Sequence, residues 1–326
     1  MSRRTAFSIA FAIGIAAAIA AALIPHAIRF RGVGLGDIAL PAIGIQAFQE
    51  GGTPYALRLR GAPAPLYPFT TMILLWPLTL LPRTLIVPAF IGLASAALAY
   101  GLAREGPLWR LLLFLSPPYW AAIESVQWSP LVTASLLLPA LLPIAVLAKP
   151  QLAIVPAVNG RWSLRTIAAT IAIVLISIIV WPAWPIEWLR KGNFHTFVGF
   201  SPLLTIPGFL LLAAVVAWRT RAGRLLLAMS LPLQRYFYDQ LPLFLIPKSW
   251  RQMILLVATS WSVVGVALWR GWYAPGSGVQ TRAGFTAVVI GVYLPALGMV
   301  LLDHFRGSAL KERALHEPVQ RDPGNQ

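Results

Sequence analysis

The chain has 326 residues, of which 58% are hydrophobic and 11% are charged. Soluble domains carry about 25% charged residues, so this chain has too little polar surface to cover a water-exposed globule. A net charge of +16 would suggest nucleic-acid binding in a soluble protein. Here arginine and lysine lie between long apolar segments, where they set membrane orientation. The composition therefore predicts an integral membrane protein with no nucleic-acid partner.

Two absences narrow the possible chemistry. The chain has no cysteine, which excludes disulfides and thiolate chemistry. Its few histidines show none of the spacings typical of metal ligands; they are His26, His195, His304 and His316. We therefore predict neither a metal site nor a cofactor.

Long apolar runs recur along the chain. A membrane helix needs roughly 20 apolar residues to cross the hydrocarbon. Uncharged runs near that length lie at 6–24, 84–103, 129–148, 166–186, 200–218, 252–269 and 283–302, and shorter runs at 66–82, 111–123, 225–234 and 241–247. This pattern predicts an all-α, polytopic transmembrane helical bundle of about ten segments. We assign residues 1–302 to this membrane domain and residues 303–326 to a cytoplasmic tail.

The first apolar run and the polar stretch after it have distinct roles. The run at 6–24 is longer than the roughly 7–15 residues of a signal-peptide core, so we expect a retained first helix. The polar stretch that follows would face outside. Within it, residues 38–50 predict a short interfacial helix, because Ile38, Ile45 and Phe48 recur on one face. Glycines just before Asp37 would let the backbone turn sharply.

Orientation of the middle of the chain is ambiguous. Counting forward from the first helix places Arg104 outside. Counting back from a basic cluster at 219–224 places it inside. Either residues 66–82 are re-entrant, or the proline-rich stretch 129–158 makes an extra pass, and both alternatives stay open.

Ionisable residues near apolar runs are candidate functional groups, because charges within a bilayer are costly. Asp37 follows the first helix and either points into a cavity between helices or is a solvated loop residue. Lys149 interrupts an apolar stretch, where an ammonium needs a partner or the interface. Asp239 lies four residues after Arg235, so the two could pair on one helix face.

Several short motifs occur in an order that resembles a known family. They are Asp37, Gly51-Gly-Thr-Pro-Tyr55, Pro65-Leu-Tyr-Pro68, Gln127-x-Ser-Pro130, Lys149-Pro-Gln151, and Ser230-x-Pro232 followed by Tyr238-Asp239. Over roughly residues 1–250 the chain resembles the glycosyltransferase 87 family of the GT-C superfamily. That family comprises membrane mannosyltransferases that depend on polyprenyl-phosphate sugars.

The resemblance implies a GT-C-like fold and a hexosyltransferase, with inversion at the sugar. A mannose-like sugar would move from a polyprenyl-phosphate carrier to a hydroxyl of a lipid or glycan acceptor on the outer face of a cell membrane. Asp37 would accept the acceptor's proton. Cations would stabilise the departing phosphate. The implied substrate-binding residues are Tyr55, Arg58, Arg60, Gln127, Lys149, Gln151, Tyr238 and Asp239, with Arg58, Arg60 or Lys149 facing the phosphate and Gln127, Tyr55 and Asp239 the sugar hydroxyls.

Two other classes of protein fit the same pattern. Broken helices and charges inside the membrane are typical of transporters and lipid flippases as well. A non-catalytic, degenerate member of the glycosyltransferase family is a further alternative.

Overall fold

The structure is a computed structural model that describes residues 2–24, 36–56, 67–191, 200–234, 237–274, 278–279 and 281–316. These residues are helical, apart from connecting turns and a hairpin of β1 (Tyr273–Ala274) and β2 (Gly278–Val279), which pair antiparallel. The prediction of a helical bundle is confirmed at this level.

Fourteen α-helices make up most of the described chain. They are α1 Arg3–Leu23, α2 Ala39–Gln49, α3 Phe69–Thr79, α4 Arg83–Glu105, α5 Pro117–Glu124, α6 Ser129–Ser135, α7 Leu142–Ala148, α8 Ile154–Asn159, α9 Leu164–Val180, α10 Trp184–Lys191, α11 Arg221–Ser230, α12 Trp250–Trp269, α13 Arg282–Val288 and α14 Leu294–His316. The 3-10 helices are Gly36–Ile38, Pro54–Ala56, Leu108–Leu115, Pro139–Leu141, Pro150–Leu152, Pro202–Leu204, Pro207–Ala217 and Phe237–Leu245, and the π segment Val289–Tyr293 joins α13 to α14.

Fewer helices can cross a bilayer than the hydropathy pattern predicts. Among the described residues, four helical segments are long and apolar enough: α1, α4, α12 and residues 282–306. A fifth is obtained if α9 and α10, which meet at an 86° bend, count as one span. The prediction of about ten crossings is wrong, while the class of helical membrane protein stands.

Proline explains why the apolar run at 129–148 is not one helix. It is divided into α6, the 3-10 turn Pro139–Leu141 and α7. Leu138 is extended (φ −116°, ψ 93°), the conformation that a following proline favours. A hydropathy window measures apolar composition and therefore misses such a break.

Serine and threonine begin several of the helices. Each accepts a hydrogen bond from a backbone N–H of the first turn and so satisfies one of the donors that a helix start leaves open. These residues are Ser2, Ser163, Thr220, Ser249 and Thr281, at the starts of α1, α9, α11, α12 and α13.

Small residues let α1 lie against α4 over most of its length. One face of α1 is buried and consists of Ala6, Ala10, Gly14, Ala17 and Ala21. A Cβ atom on Gly14 would lie 2.9 Å from the Cβ of Ala96 and 3.0 Å from the carbonyl oxygen of Gly92. Such close approach through small residues is typical of helix pairs in membranes. The opposite face of α1 carries exposed Phe7, Phe11, Ile15, Ile19 and Leu23, spaced for contact with lipid.

The direction of α1 and α4 places most of the basic clusters at one end of the bundle. Gly14 lies against Ala96 whereas Gly92 lies against Ala18, so the two helices are antiparallel. The start of α1 and the end of α4 at Glu105 therefore share an end, which we call the basic end.

Arg161 and Arg221 also lie at the basic end. The Glu105 carboxylate forms an ion pair with Arg161, and its Oε2 lies 3.8 Å from Nη1 of Arg221. Both arginines also donate to the backbone carbonyls of Leu137 and Leu136, which follow the end of α6. The contacts of Glu105, Arg161 and Arg221 thus connect the ends of α4 and α6 to the starts of α9 and α11.

This arrangement resolves the conflict in the orientation counts. Because α1 and α4 are antiparallel, Arg104 lies at the same end as the cluster at 219–224, and the forward count from helix 1 is wrong. The cause is α3, which has 11 residues and is about 16 Å long, too short for a full crossing. Its first turn begins deep in the bundle, where Thr71 donates to the carbonyl of Ala148 at 3.1 Å.

The predicted helix at 38–50 is present as α2, Ala39–Gln49, and Ile38 just before it and Ile45 within it are buried in the protein. The predicted boundary at residue 302 does not coincide with a helix end, since α14 continues to His316. Residues 317–326 of the predicted tail lie outside the described residues.

Candidate functional site

Two chain reversals meet inside the bundle and create a polar cluster there. One reversal separates α5 from α6 at residues 125–128, and the other separates α7 from α8 at Lys149. The ring of Trp128 contacts Phe90, with 4.9 Å between centroids. Phe90 is seven residues, or about 10 Å, into α4 from its start at Arg83. The cluster is therefore nearer to that end of the bundle, which we call the distal end, than to the basic end.

Lys149 is the centre of this cluster. Its Nζ donates to Asp239 Oδ1 at 2.5 Å, to Gln127 Oε1 at 3.3 Å and to Ser129 Oγ at 3.5 Å. It also lies 4.4 Å from the ring centroid of Tyr238, a cation–π contact. An ammonium has three N–H donors, so these acceptors match its full capacity.

The Lys149–Asp239 ion pair is buried and neutral overall. The side chains are 1% and 2% exposed. A buried charge is tolerated only when it is paired and hydrogen-bonded, a condition that both groups meet. The predicted alternative partner of Asp239, Arg235, lies outside the described residues. We infer that Lys149 organises the acceptors around it and is not exposed to a ligand.

The turn before α2 docks Asp37 onto the first reversal. The backbone N–H of Asp37 donates to the carbonyl of Ser125 at 3.0 Å. The preceding Gly36 has φ +59°, and a Cβ atom there would lie 2.5 Å from Cγ2 of Val126. Only glycine fits this combination of left-handed backbone and close contact. The expectation that a glycine makes the turn is confirmed at Gly36.

Val126 itself has an unfavourable backbone. Its φ of +52° lies in the left-handed region, which a β-branched residue rarely adopts. Such a conformation costs on the order of 1–3 kcal/mol and persists only where the surroundings hold it. Val126 is fully buried. Of its two neighbours in the chain, Ser125 accepts a hydrogen bond from the backbone N–H of Asp37, and Gln127 accepts one from Lys149.

A chain of two tyrosines fixes the Asp37 side chain. The hydroxyl of Tyr67 donates to Asp37 Oδ2, and the hydroxyl of Tyr55 donates to the backbone carbonyl of Tyr67 at 3.2 Å. The ring of Tyr55 stacks on Trp181, with centroids 5.4 Å apart. Burial, followed by the charge of Glu187, raises the pKa of the Tyr55 phenol, so it stays protonated as a donor.

Asp37 is half-buried, and the first reversal connects it to the residues around the ion pair. Its neighbours Gly36 and Ile38 are buried. The first reversal links Asp37 to the ion pair, since the Ser125 carbonyl accepts from the backbone N–H of Asp37 and Gln127 Oε1 accepts from Lys149 Nζ. Two carboxylates thus share this region, one paired with Lys149 and one held by Tyr67.

The structure brings together five of the predicted site residues, namely Asp37, Gln127, Lys149, Tyr238 and Asp239. Tyr55 is linked to them through Tyr67. Gln151 is half-buried, and within the described residues its side chain makes no hydrogen bond to the cluster. Arg58 and Arg60 lie outside the described residues.

Sequence reasoning missed two members of the cluster. Tyr67 and Ser129 are part of the quoted motifs, and their polar side chains beside prolines at chain turns were the available signal. A second buried network also went unpredicted. In it the hydroxyl of Tyr293 donates to Gln234 Oε1 at 2.6 Å, and Gln240 Nε2 donates to the same oxygen at 2.5 Å.

Two buried donors at the first reversal have no acceptor among the described residues. They are Nε2 of Gln127 and Nε1 of Trp128, in side chains that are 0% and 2% exposed. A buried donor without a partner costs about 1–3 kcal/mol, so such groups are rare unless a ligand or water completes them. No group of three or more His, Asp or Glu side chains that could hold a metal occurs in the described part of the chain.

Comparisons with known proteins give no independent assignment. No family model, no curated protein and no solved structure matches the chain.

Proposed function

We propose that the chain is a multi-pass cell-membrane glycosyltransferase. It transfers a mannose-like sugar from a polyprenyl-phosphate carrier to a hydroxyl acceptor at the distal end of the bundle. The observation that carries this proposal is the placement of Asp37, a half-buried carboxylate held by Tyr67 and Ser125 beside a buried polar cluster.

Orientation follows from the distribution of charge. The basic end faces the cytoplasm, because lysine and arginine are enriched in cytoplasmic loops. Asp37 then lies toward the outer face, where the acceptor hydroxyl would be presented.

The chemistry requires a base that reaches the acceptor hydroxyl. A carboxylate that takes this proton in the transition state contributes typically 10²–10⁴-fold to the rate, a typical range that sets roughly what its loss should cost. Only one Asp37 carboxylate oxygen is bonded by Tyr67. The other oxygen is the one that we assign to the acceptor.

The sugar requires hydrogen-bond partners close to that base. The Gln127 amide has its oxygen fixed by Lys149 and its Nε2 without an acceptor among the described residues. The Gln127 Nε2 group can therefore donate a hydrogen bond to a hydroxyl of the sugar.

The role proposed for Lys149 is indirect. Because its donors are occupied by Asp239, Gln127 and Ser129, it is a positioning residue. Stabilisation of the leaving phosphate is therefore assigned to Arg58 and Arg60, since arginine binds phosphate through two parallel hydrogen bonds.

The test is a transfer assay with purified protein in detergent micelles, polyprenyl-phosphate mannose and a panel of lipid and glycan acceptors. We expect Asp37→Asn to reduce turnover by roughly 10²-fold or more, because the amide cannot accept the proton. Glu50→Gln is the matched control, since Glu50 is an exposed carboxylate at the other end of α2. Full turnover by Asp37→Asn would eliminate the proposed base.

A transporter is the second candidate, and one observation favours it. The buried Lys149–Asp239 pair lies where helices are broken, as do coupling sites in transporters. Proteoliposomes that move labelled polyprenyl-phosphate sugar across the bilayer without any transfer product would establish this alternative. Under it, Lys149→Met would abolish movement and Asp37→Asn would not.

A further inference from the structure

The chain turns sharply between α9 and α10. The two helices meet at 86°, and only residues 181–183 separate them. α9 begins close to Arg161 at the basic end, and its 17 residues extend about 26 Å away from that end. Helices that cross a bilayer tilt by about 20° on average from the bilayer normal, so α10 lies nearly in the plane of the membrane surface.

Aromatic contacts fix this bend to the rest of the bundle. The ring of Trp181 lies 5.4 Å from that of Tyr55 and 5.2 Å from that of Phe69, measured between centroids. Within α10, the buried Trp184 donates from its Nε1 to Ser177 Oγ of α9 at 3.1 Å. Tyr55 belongs to the tyrosine chain that holds Asp37, so the bend lies toward the distal end.

The side of α10 that faces away from the bundle is apolar. Successive residues of a helix are about 100° apart, so Trp184 and Trp188 share one side, and both pack against the buried core. Ile186 and Leu189 share the opposite side and are 56% and 66% exposed. Two large apolar side chains are therefore presented outward by one short helix.

Two further observations indicate what covers this outward side. The exposed apolar surface of α9 continues across the bend, from Ile179 through Pro182 and Ala183 to α10. Glu187 and Arg190 are three residues apart and lie on a third side of α10, between the two apolar sides. An amphipathic helix of this kind lies at the boundary between lipid and water, with its apolar residues in the lipid.

We propose that α10 is an interfacial helix at the distal end, with Ile186 and Leu189 inserted among the lipid chains just below the headgroups. Lipid is the partner, and not a second protein, because the outward side of α10 is continuous with the lipid-facing surface of α9. The proposal concerns contact with the bilayer and does not depend on the proposed transfer reaction.

Spin labels on single cysteines test the depth of α10, since the chain has no cysteine of its own. The protein is reconstituted in phosphatidylcholine vesicles, and the depth of each label is measured from its accessibility to oxygen and to a water-soluble nickel chelate. Labels in Ile186→Cys and Leu189→Cys should lie roughly 5–10 Å below the headgroup boundary, the depth typical of interfacial helices. The label in Leu175→Cys, on the exposed side of α9, should lie deeper, and that in Arg165→Cys, at the basic end, should be in water.

Lipid crosslinking identifies the partner without any substitution. Wild-type protein in vesicles of a phosphatidylcholine with a diazirine in its acyl chain should form lipid adducts at Ile186 or Leu189, as well as at Leu175. Adducts at Leu175 with none on α10 would overturn the proposal. Labels on α10 that the nickel chelate reaches as fully as it reaches Arg165→Cys would overturn it too. Labels shielded from both reagents would show that protein covers α10, which also refutes a lipid contact.

Discussion

The buried pair of Lys149 and Asp239 makes a quantitative prediction about stability. Both side chains are almost fully buried, and Asp239 Oδ1 receives the shortest of the three Lys149 hydrogen bonds. In Lys149→Met the carboxylate would stay buried without its counter-charge. Breaking a buried pair in this way costs roughly 3–5 kcal/mol, and protonation of the carboxyl group limits the loss.

Removing both charges should cost less than removing one. In the double variant Lys149→Met with Asp239→Leu, apolar groups of similar volume replace the pair, and such exchanges are often neutral or stabilising. We therefore expect the double variant to be more stable than either single variant. The difference between the summed single losses and the double loss measures the coupling, which should be roughly 3 kcal/mol or more.

The chain contains a matched control for this cycle. Lys248 and Asp303 form a second Lys–Asp pair at 3.3 Å, but the lysine is 60% exposed. Exposed pairs contribute about 0.2–1 kcal/mol to stability. Lys248→Met should therefore lower the unfolding free energy by less than Lys149→Met does.

The assay is denaturation in mixed micelles, with increasing SDS and circular dichroism as the readout. Two results would refute the reasoning. One is a Lys149→Met loss no larger than that of Lys248→Met. The other is a double variant whose loss equals the sum of the singles, since that would mean that the two buried charges do not interact.

Three further predictions concern other parts of the molecule. Gly36→Ala should reduce transfer activity strongly with little change in global stability, because the left-handed backbone and the contact with the first reversal would displace the turn before α2; normal activity would contradict this placement. Gly14→Val should lower the unfolding free energy by about 1–3 kcal/mol through overpacking against α4, whereas Ile15→Val on the exposed face should change it by less than about 0.5 kcal/mol in the same SDS titration. Single cysteines in this cysteine-free chain test the orientation. Arg161→Cys, at the basic end, should react with a membrane-impermeant maleimide only from the cytoplasmic side. Arg270→Cys should react only from outside, because Tyr273 close by donates to Glu124 at the end of α5, beside the first reversal, and labelling of both from one side would refute the assignment of the two ends.

The long helices were predictable because their signal is local. The apolar run at 84–103 became α4, Arg83–Glu105, and the run at 252–269 became α12, Trp250–Trp269. In both cases about twenty apolar residues lie between charged ends, and no tertiary information is needed to recognise such a helix.

The path of the middle of the chain was not predictable in the same way. Hydropathy distinguishes residues that prefer an apolar environment from residues that prefer water, and it does not distinguish lipid from the interior of the protein. A short helix that is buried by its neighbours is therefore as apolar in sequence as a helix that spans the membrane. Thr71 bonded to the end of α7 reveals that α3 starts inside the bundle, but the partner is 77 residues away in sequence. The two orientation counts disagreed because α3, one of the apparent crossings, does not cross the membrane.

Sequence reasoning named several residues of the polar cluster but none of the bonds between them. The resemblance implied that Gln127 and Asp239 bind sugar hydroxyls and that Lys149 is a candidate phosphate ligand, and in the structure Gln127 and Asp239 both accept from the Lys149 ammonium. That Lys149 would bond with Asp239, and Asp37 with Tyr67, depends on where two reversals stop in space. The left-handed Val126 was also beyond sequence reasoning, because its side chain favours the extended conformation.

The position of the polar cluster follows from the way the helices are broken. A backbone that leaves the helical path inside a membrane keeps carbonyl groups without partners, which is tolerated only where protein surrounds them. Here Thr70 and Thr71 donate to the last carbonyls of α7, at Leu147 and Ala148. The same break turns Lys149 inward, where an ammonium needs acceptors, and the reversal before α6 supplies Gln127 and Ser129. The buried charge therefore depends on the helix breaks, which bring its acceptors to it, whereas the break at the end of α7 is satisfied by Thr70 and Thr71 and does not depend on Lys149.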